Sequence, residues 1–168
     1  MTGSGRVWRA GVLTLSDKGS RGERNDTSGP LLREMLTAEG FEVTLSRILP
    51  DVREEIADCL RHWVDDATLD LVVTTGGTGL TPSDVTPEAT RMVIEREVPG
   101  MAEAMRQASL LKTSRAMLSR AVVGTRGRCL IVNLPGSARA AQENLAVLLP
   151  VLDHALAKLQ GDPDDCGV

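Results

Sequence analysis

The sequence is poor in aromatic residues, with no tyrosine and one phenylalanine among its 168 residues. Proteins that bind single-stranded nucleic acid commonly stack the bases on aromatic side chains. The formal net charge is −4, so a broad basic surface for a phosphate backbone is missing as well. The composition therefore argues against a nucleic-acid partner. An anionic ligand would have to be bound by backbone amides, by a few basic side chains or by a metal ion.

Long apolar runs and clustered cysteines are also missing. No run reaches the roughly 20 residues that a membrane-spanning helix requires, and residues 1–9 lack the apolar core of a signal peptide. We therefore expect a cytoplasmic protein with no membrane partner. The three cysteines, Cys59, Cys129 and Cys166, are far apart in the sequence, which argues against a disulfide framework or a zinc site. Cys59 and Cys129 lie in apolar patterns and are expected to be buried.

The sequence does contain an alternation of strand and helix patterns. It predicts strands at residues 6–16, 41–49 and 69–75 and a pair of strands within 119–134. It predicts helices at 28–40, 52–66, 86–97, 101–112 and 135–160, with Ser28 and Thr86 as N-caps and residues 17–27 as a loop. This order predicts an α/β fold with three layers, α/β/α, in which helices cover both faces of a mostly parallel sheet. We expect a single domain over residues 1–168, with its core at about 5–160 and an acidic C-terminal tail.

Ligands of open parallel sheets bind where the carboxyl ends of the strands lead into loops. Four stretches meet this rule, at residues 16–26, 50–51, 74–86 and 133–137, and each is rich in small and polar residues. Their agreement predicts one site at this edge of the sheet.

The stretch TTGGTG, residues 74–79, follows the third strand. Glycines allow positive φ angles and a close approach of the backbone to a ligand, and successive amides can form a concave site for phosphate oxygens. A tight turn without a ligand is the alternative interpretation. The sequence GxxxxGK[ST] does not occur, which excludes the ordinary P-loop.

Two acids, Asp51 and Asp84, follow the second and third predicted strands and would project from the same edge of a parallel sheet. Together they can bind Mg²⁺ against phosphate groups, or each can simply stabilise a helix N-terminus. Asn133 can recognise a heterocycle or a hydroxyl group, or can serve only the turn, while Ser137 can cap the last helix. Asp17 is either a ligand or a solvated loop acid.

These motifs occur in an order that resembles one family. TTGGTG, DVTPEAT, PG with LSR, and IVNLPGS, together with LTLSDKGS and ILPD, strongly resemble the MogA/MoaB family, the molybdopterin adenylyltransferase group that includes the G domain of gephyrin. The resemblance covers nearly the whole chain. It implies Mg²⁺-dependent transfer of AMP from ATP to the terminal phosphate of molybdopterin, with release of pyrophosphate. It also implies a homotrimer and a MoeA-type protein that inserts molybdenum into the product.

Carried over residue by residue, the resemblance implies that Asp51 and Asp84 are the essential acids, acting through Mg²⁺ or by orienting the pterin phosphate. The residues implied to line the phosphate loop are Gly76, Gly77, Thr78 and Gly79. The other implied binding residues, around the nucleotide, the pterin and its phosphate, are Ser16, Asp17, Glu88, Ser109, Ser119, Asn133, Pro135, Gly136 and Ser137.

The sequence departs from the family pattern at Pro82 and Ser83, where some members have a basic pair. Either phosphate attraction is weaker here, or Lys112, Arg115 or Arg120 supplies the missing charge. The motifs also leave open a non-catalytic molybdopterin-binding or scaffold protein of the MoaB type. The pair of acids favours the enzyme, because a scaffold does not need two carboxylates beside a phosphate loop.

Overall fold

The computed structural model describes residues 5–163, which contain one six-stranded sheet with the strand order β2-β1-β3-β6-β5-β4. The strands are β1 (Arg9–Leu15), β2 (Glu42–Leu49), β3 (Leu71–Thr75), β4 (Arg96–Glu97), β5 (Val123–Arg126) and β6 (Cys129–Leu134). β2, β1, β3 and β6 pair in parallel, whereas β5 pairs antiparallel with both β6 and β4.

Helices lie on both faces of the sheet. They are α1 (Asp17–Ser20), α2 (Ser28–Ala38), α3 (Arg53–Asp65), α4 (Thr86–Arg91), α5 (Pro99–Leu110) and α6 (Ala138–Leu159), with a 3₁₀ helix at Ser114–Leu118. The predicted three-layer α/β/α fold with a mostly parallel sheet is thereby confirmed.

Strand β3 illustrates why the central strands are apolar without interruption. Leu71 and Val73 belong to the core cluster formed with α2, α5 and α6, whereas Val72 belongs to the cluster formed with α3 and α4. All three side chains are fully buried, and burial of such a side chain contributes about 1.5–3 kcal/mol. Cys59 and Cys129 are buried free thiols, as predicted.

The structure corrects two predicted segments. Residues 17–20, predicted as loop, form the short helix α1, because the Ser16 Oγ accepts a hydrogen bond from Gly19 N at 3.0 Å. The helix predicted at 86–97 ends at Arg91, and β4 follows it. Backbone bonds from Glu95 N to Thr125 O at 2.7 Å and from Val98 N to Val123 O at 2.8 Å draw this segment onto the sheet edge. Pro99 then begins α5 instead of only ending a helix.

Neither Ser28 nor Thr86 is the N-cap that the sequence predicts, because each is the first residue of its helix. The carboxylate of Asp26 accepts the hydrogen bond from Gly29 N at 2.9 Å and so stabilises the start of α2. The Thr86 hydroxyl instead donates to Gly76 O at 2.9 Å, which ties α4 to the loop after β3.

In the described part of the chain, no helix is both long enough and apolar enough to cross a membrane. Most of the predicted acidic tail, including Cys166, lies outside the described residues.

Candidate active site

The carboxyl ends of β1, β2, β3 and β6 surround an open cavity of about 420 Å³. All four stretches selected from the sequence contribute to its wall. It is lined by Thr14, Leu15, Ser16, Gly19, Arg24, Asn25, Asp26, Thr27, Ser28, Asp51, Thr75, Gly76, Gly77, Asp84, Gly136, Ser137 and Ala138.

The loop at residues 76–79, here called the glycine loop, has all four of its carbonyl groups bound by the protein. The donors are the Thr86 hydroxyl to Gly76 O (2.9 Å), Thr86 N to Gly77 O (3.1 Å), Arg120 N to Thr78 O (2.9 Å) and Arg120 Nε to Gly79 O (2.8 Å). Within residues 5–163, no protein group accepts a hydrogen bond from the N–H groups of residues 77–79. The glycine loop therefore retains backbone donors without a protein partner, a kind of donor that a phosphate group can use. Of the three residues, Gly77 lines the cavity, whereas Thr78 and Gly79 do not.

Two of these glycines are required by the backbone. Gly76 has a φ of +102° and Gly77 a φ of +68°, angles that other residues rarely adopt. A methyl group at Gly76 would collide with the carbonyl of Leu15, and one at Gly77 would collide with the hydroxyl of Thr86. The loop is thus packed tightly between β1 and α4, which fixes its amides in place.

Asp17 and Asp51 connect the loops that follow β1 and β2. Asp17 N donates to Asp51 Oδ2 at 3.1 Å, and Asp51 N donates to Asp17 Oδ1 at 2.8 Å. The second oxygen of Asp51, Oδ1, is buried and has no hydrogen-bond partner within the described residues. A Cβ atom built on Gly77 would lie 3.2 Å from this oxygen, so it lies beside the glycine loop.

Burial raises the pKa of the Asp51 carboxyl, and the negative charges of Asp17 and Asp84 raise it further. The hydrogen bond from the Asp17 backbone acts in the opposite direction. An unpaired, partly buried carboxylate oxygen beside other acids is unfavourable unless a cation is present. Asp51 is therefore suited to bind a cation.

Asp84 belongs to the turn that follows the glycine loop. Its Oδ2 accepts a hydrogen bond from Thr81 N at 3.0 Å, and its own N–H donates to Thr81 O at 2.9 Å. A Cβ atom on Gly79 would lie 2.8 Å from the same Oδ2. Asp84 thus lies against the end of the glycine loop while also lining the cavity.

Two longer helices begin at the cavity. Ser137 caps α6, with its Oγ accepting a hydrogen bond from Ala140 N at 3.5 Å, and Gly136 packs close to the backbone of Gly76. Ser28, the first residue of α2, also lines the cavity. Both helix N-termini carry partial positive charge, which favours an anion.

A metal ion here would have few protein ligands. No group of three or more His, Cys, Asp and Glu side chains in residues 5–163 is arranged to hold one. Asp51 and Asp84 are close enough for the charge of one to raise the pKa of the other. Two carboxylates fit Mg²⁺, which usually keeps several waters and takes further ligands from substrate phosphates.

Eight of the residues named from the sequence do not line the cavity: Asp17, Thr78, Gly79, Glu88, Ser109, Ser119, Asn133 and Pro135. Asn133 is fully buried: its Oδ1 accepts from Val122 N at 3.1 Å, and its Nδ2 donates to Thr74 Oγ1 and Thr90 Oγ1. These bonds join β6 to β3 and α4, so the structure does not present Asn133 to a ligand.

The two serines also have structural contacts. Ser109 Oγ accepts from Asn144 Nδ2 at 2.7 Å between α5 and α6, and Ser119 Oγ accepts from Ala121 N at 3.4 Å. Pro135 does not line the cavity either, but its carbonyl accepts from the Thr75 hydroxyl at 2.6 Å and so holds the loop that carries Gly136. The structure therefore does not bring Ser109, Ser119 or Pro135 to the cavity.

Basic side chains are scarce around the site. Of the three considered as replacements for the missing basic pair, Lys112 pairs with Glu143 at 3.1 Å and Arg120 pairs with Glu88. Neither these two nor Arg115 lines the cavity. The lining includes a different arginine, Arg24.

The sequence selects 16–26 as a stretch and Ser28 as an N-cap, but it does not predict any individual residue of 24–28 as a binding residue, although all five line the cavity. Asp26 is central to this segment, because its Oδ2 accepts from Thr14 Oγ1 at 2.7 Å while its Oδ1 accepts from Gly29 N. A side chain at Gly29 would collide with Asp26. The signal was the run NDTSG before the helix, which is equally typical of an ordinary capping segment.

Comparison with known proteins identifies the family. A family model described as a probable molybdopterin binding domain matches residues 11–154. The molybdopterin adenylyltransferase of Helicobacter pylori (strain J99) is 38% identical over 158 residues, covering 90% of this chain and 88% of that protein. The Drosophila melanogaster molybdenum cofactor synthesis protein cinnamon is 42% identical over 154 residues, which cover 90% of this chain. The chain spans only 26% of the length of that fly protein.

Comparison of the fold with solved structures identifies the same family. The crystal structure of the molybdopterin biosynthesis enzyme MoaB from Thermus thermophilus matches with a TM-score of 0.88 and 54% identity, over 94% of this chain and 99% of that one. The resemblance seen in the sequence motifs is thus confirmed by the family model, by a relative matched over most of its length and by a solved structure. The chain belongs to the MogA/MoaB family of probable molybdopterin-binding domains.

Proposed function

We propose that this protein is a molybdopterin adenylyltransferase of molybdenum cofactor biosynthesis. An oxygen of the terminal phosphate of molybdopterin attacks the α-phosphorus of ATP, a new P–O bond forms, and the bond between the α- and β-phosphates breaks. The products are adenylylated molybdopterin and pyrophosphate. Relatives that carry this activity in their names are similar to the chain over most of its length.

The observation that carries this proposal is the state of the glycine loop. Its four carbonyl groups are bound by Thr86 and Arg120, whereas the amides of residues 77–79 have no partner within the described chain. Transfer of a phosphoryl-type group depends mainly on positioning and on stabilising charge on the phosphate oxygens. A rigid set of backbone donors beside two carboxylates suits both tasks.

The N-terminus of α6 adds to the binding of anionic groups, whereas at the N-terminus of α2 the carboxylate of Asp26 already accepts from Gly29 N. Both begin at the cavity wall, and their first amides carry partial positive charge. Arg24 supplies a positive side chain at the same wall. An acidic protein can therefore bind a triphosphate here without a cluster of lysines.

Asp51 and Asp84 would hold Mg²⁺, with the unpartnered Oδ1 of Asp51 as one ligand. When bound, Mg²⁺ neutralises charge on the phosphate oxygens and orients them. In the absence of the ion, the Asp17 backbone holds Asp51 in place through Oδ2, and the Thr81 backbone holds Asp84. Both carboxylates are thus positioned in advance of binding.

The assembly that we propose is a homotrimer that passes its product to a MoeA-type protein in the cytoplasm. Support for self-association comes from apolar side chains exposed at the end of α5 and in the 3₁₀ helix. Leu111 is 88% exposed and Met117 is 70% exposed, and Leu110 and Leu118 beside them are also exposed. A cluster of exposed apolar side chains, unlike a lone one, is typical of an interaction surface.

Incubation with molybdopterin, ATP and Mg²⁺ tests the proposed reaction. We expect stoichiometric formation of pyrophosphate and adenylylated molybdopterin. Asp84→Asn should lower kcat by about 100-fold or more, because loss of one charge-stabilising group has an effect of that order, while molybdopterin still binds. Asp58→Asn is the matched control, since Asp58 is an exposed acid on α3 whose one ion pair within residues 5–163 is with Arg61. Binding of molybdopterin without any pyrophosphate would support the non-catalytic alternative instead.

A further inference from the structure

The turn that carries Asp84 is held by one arginine from the segment before β5. Arg120 Nε donates to Gly79 O at 2.8 Å, and Arg120 Nη2 donates to Asp84 O at 2.7 Å. The backbone N–H of Arg120 donates to Thr78 O at 2.9 Å. The guanidinium group therefore binds both ends of the segment between Gly79 and Asp84.

The third nitrogen of this guanidinium is also used by the protein. Arg120 Nη1 pairs with Glu88 Oε1 on α4, and this hydrogen bond lowers the pKa of Glu88. Every nitrogen of the side chain thus donates to a protein acceptor. Because Arg120 is bound in this way and does not line the cavity, it is poorly placed to attract a phosphate group itself.

The turn between these two anchors is closed by Asp84. Its carboxylate accepts from Thr81 N, and its backbone N–H donates to Thr81 O. Neither bond connects this turn to the rest of the protein. Thr86 ties the chain after the turn to Gly76 O and Gly77 O, but the anchors at the ends of the turn itself, at Gly79 O and Asp84 O, are supplied by Arg120. The position of the Asp84 carboxylate relative to Asp51 and the glycine loop therefore depends in part on Arg120.

We propose that Arg120 is a positioning residue for adenylyl transfer, which acts through Asp84 and the glycine loop and not through contact with substrate. This proposal rests on the proposed function. Glu88 contributes to the same positioning, since its carboxylate orients the guanidinium group toward the carbonyl groups of Gly79 and Asp84. The planar fork of arginine matches this arrangement, whereas the ammonium group of lysine cannot donate along the same directions.

Steady-state kinetics of Arg120→Gln and Arg120→Lys test the proposal. We expect kcat to fall on the order of 10- to 100-fold in both variants, because small displacements of a reacting group have effects of this size. The KM values for ATP and molybdopterin should change less than about threefold. If Arg120 instead attracts phosphate by its charge, Arg120→Lys would keep near wild-type kinetics and Arg120→Gln would mainly raise KM. That result would overturn the proposal.

The matched control is Arg126→Gln. Arg126 pairs with Asp65 through Nε and Nη2 and donates to Val93 O at 3.1 Å, so it makes the same kinds of contact as Arg120. It lies on β5 outside the cavity lining. We expect its substitution to leave kcat within about twofold of the wild type. An equal loss of kcat in Arg126→Gln would show that general destabilisation, and not positioning, explains the effect.

Amide hydrogen exchange supplies a readout that does not depend on turnover. In Arg120→Lys the amides of Thr81 and Asp84 should exchange faster, while those of β3 keep wild-type protection. Unchanged exchange at Thr81 and Asp84 would overturn the proposal even if Arg120→Gln fails to fold. Absence of pyrophosphate formation by the wild-type protein would contradict the proposed function itself, which separates the two failures.

Discussion

Asp17 and Asp51 bind each other symmetrically, since the backbone N–H of each donates to the carboxylate of the other, at 3.1 Å and 2.8 Å. The pair links the loop after β1 to the loop after β2 and leaves Oδ1 of Asp51 without a partner among the described residues. Two carboxylates are thus held close together by backbone donors. Burial first, and then the charges of Asp17 and Asp84, raise the pKa of Asp51.

Asp17→Asn should lower the pKa of Asp51. The substitution removes one negative charge that favours the protonated form, while the amide oxygen of asparagine can still accept from Asp51 N. The Asp17 backbone N–H, which stabilises the Asp51 carboxylate, is unaffected. NMR titration of the carboxyl carbons in Mg²⁺-free buffer measures the change. The argument is contradicted if the Asp51 pKa stays constant or rises, and Asp58→Asn serves as the control that should not move it.

Asp51→Asn should become more stable relative to the wild type as the pH rises. The raised pKa of Asp51 means that the folded state binds this proton more tightly than the unfolded state does, so the wild type loses stability as pH rises from the ordinary aspartate pKa through the raised value. The asparagine side chain has no ionisable carboxyl group, so the variant does not lose stability from this source as the pH rises. Urea unfolding at a series of pH values should show the difference growing across that interval and then becoming constant. If Asp51→Asn instead became less stable relative to the wild type as the pH rises, the raised pKa of Asp51 would be refuted.

Mg²⁺ should raise the melting temperature of the wild type but not that of Asp51→Asn. A ligand that binds only the folded state stabilises it by an amount that grows with its concentration, and Asp51 Oδ1 is the proposed ligand atom. Differential scanning fluorimetry with and without millimolar Mg²⁺ checks this expectation. Ca²⁺ is a useful comparison because it needs more oxygen ligands than two carboxylates offer. If Mg²⁺ raised the melting temperature of both proteins equally, the ion would bind at another site.

Gly77→Ala should destabilise the protein and weaken ATP binding. The backbone at Gly77 has φ +68°, and the added methyl group would meet Thr86 Oγ1. Such strain costs about 1–3 kcal/mol. Gly100→Ala is the control, since no atom lies within 4 Å of a Cβ at that helical position, and alanine there should be neutral or slightly stabilising. Thermal unfolding and calorimetry of ATP binding measure both effects. Equal behaviour of the two variants would show that the loop is not constrained.

Leu111→Asp should weaken self-association without unfolding the protomer. Leu111 is 88% exposed in the isolated chain, so a charge there costs little in a monomer but much in an apolar interface. Light scattering after size-exclusion chromatography gives the mass of the assembly. A wild-type monomer would contradict the proposed trimer, and a trimeric Leu111→Asp protein would place its interface elsewhere.

The central strands could be predicted from the sequence because both of their faces are covered. In the run Leu71 to Thr75 all five residues are buried, and its apolar part, Leu71 to Val73, shows no alternation with polar residues, so its pattern allows few alternatives. The edge strand β4 could not be predicted, because Arg96 and Glu97 are exposed and their pairing depends on backbone bonds to a distant strand. Pro99 correctly indicated a boundary between two elements, but it did not show that the helix before it ends as early as Arg91.

The structure brings Gly76, Gly77, Asp51 and Asp84 to the cavity but not Thr78 or Gly79. The four that reach it follow the ends of parallel strands, where the rule for such sheets depends on topology alone. Asn133 was predicted to face a ligand, and the structure buries it for a reason that the sequence does not show. It ends a strand like the other polar candidates, but its amide satisfies buried partners on β3 and α4 that only the tertiary structure reveals. Arg120 could not be recognised as an anchor, since its acceptors are carbonyl groups 41 and 36 residues earlier in the chain.

A crystal structure of the protein soaked with ATP and Mg²⁺ tests the central claim most directly. We predict phosphate oxygens within hydrogen-bonding distance of the amides of residues 77–79, and a metal ion bound by Asp51 Oδ1 and by Asp84. A nucleotide bound away from the glycine loop, or a metal ion that contacts neither acid, would contradict the account.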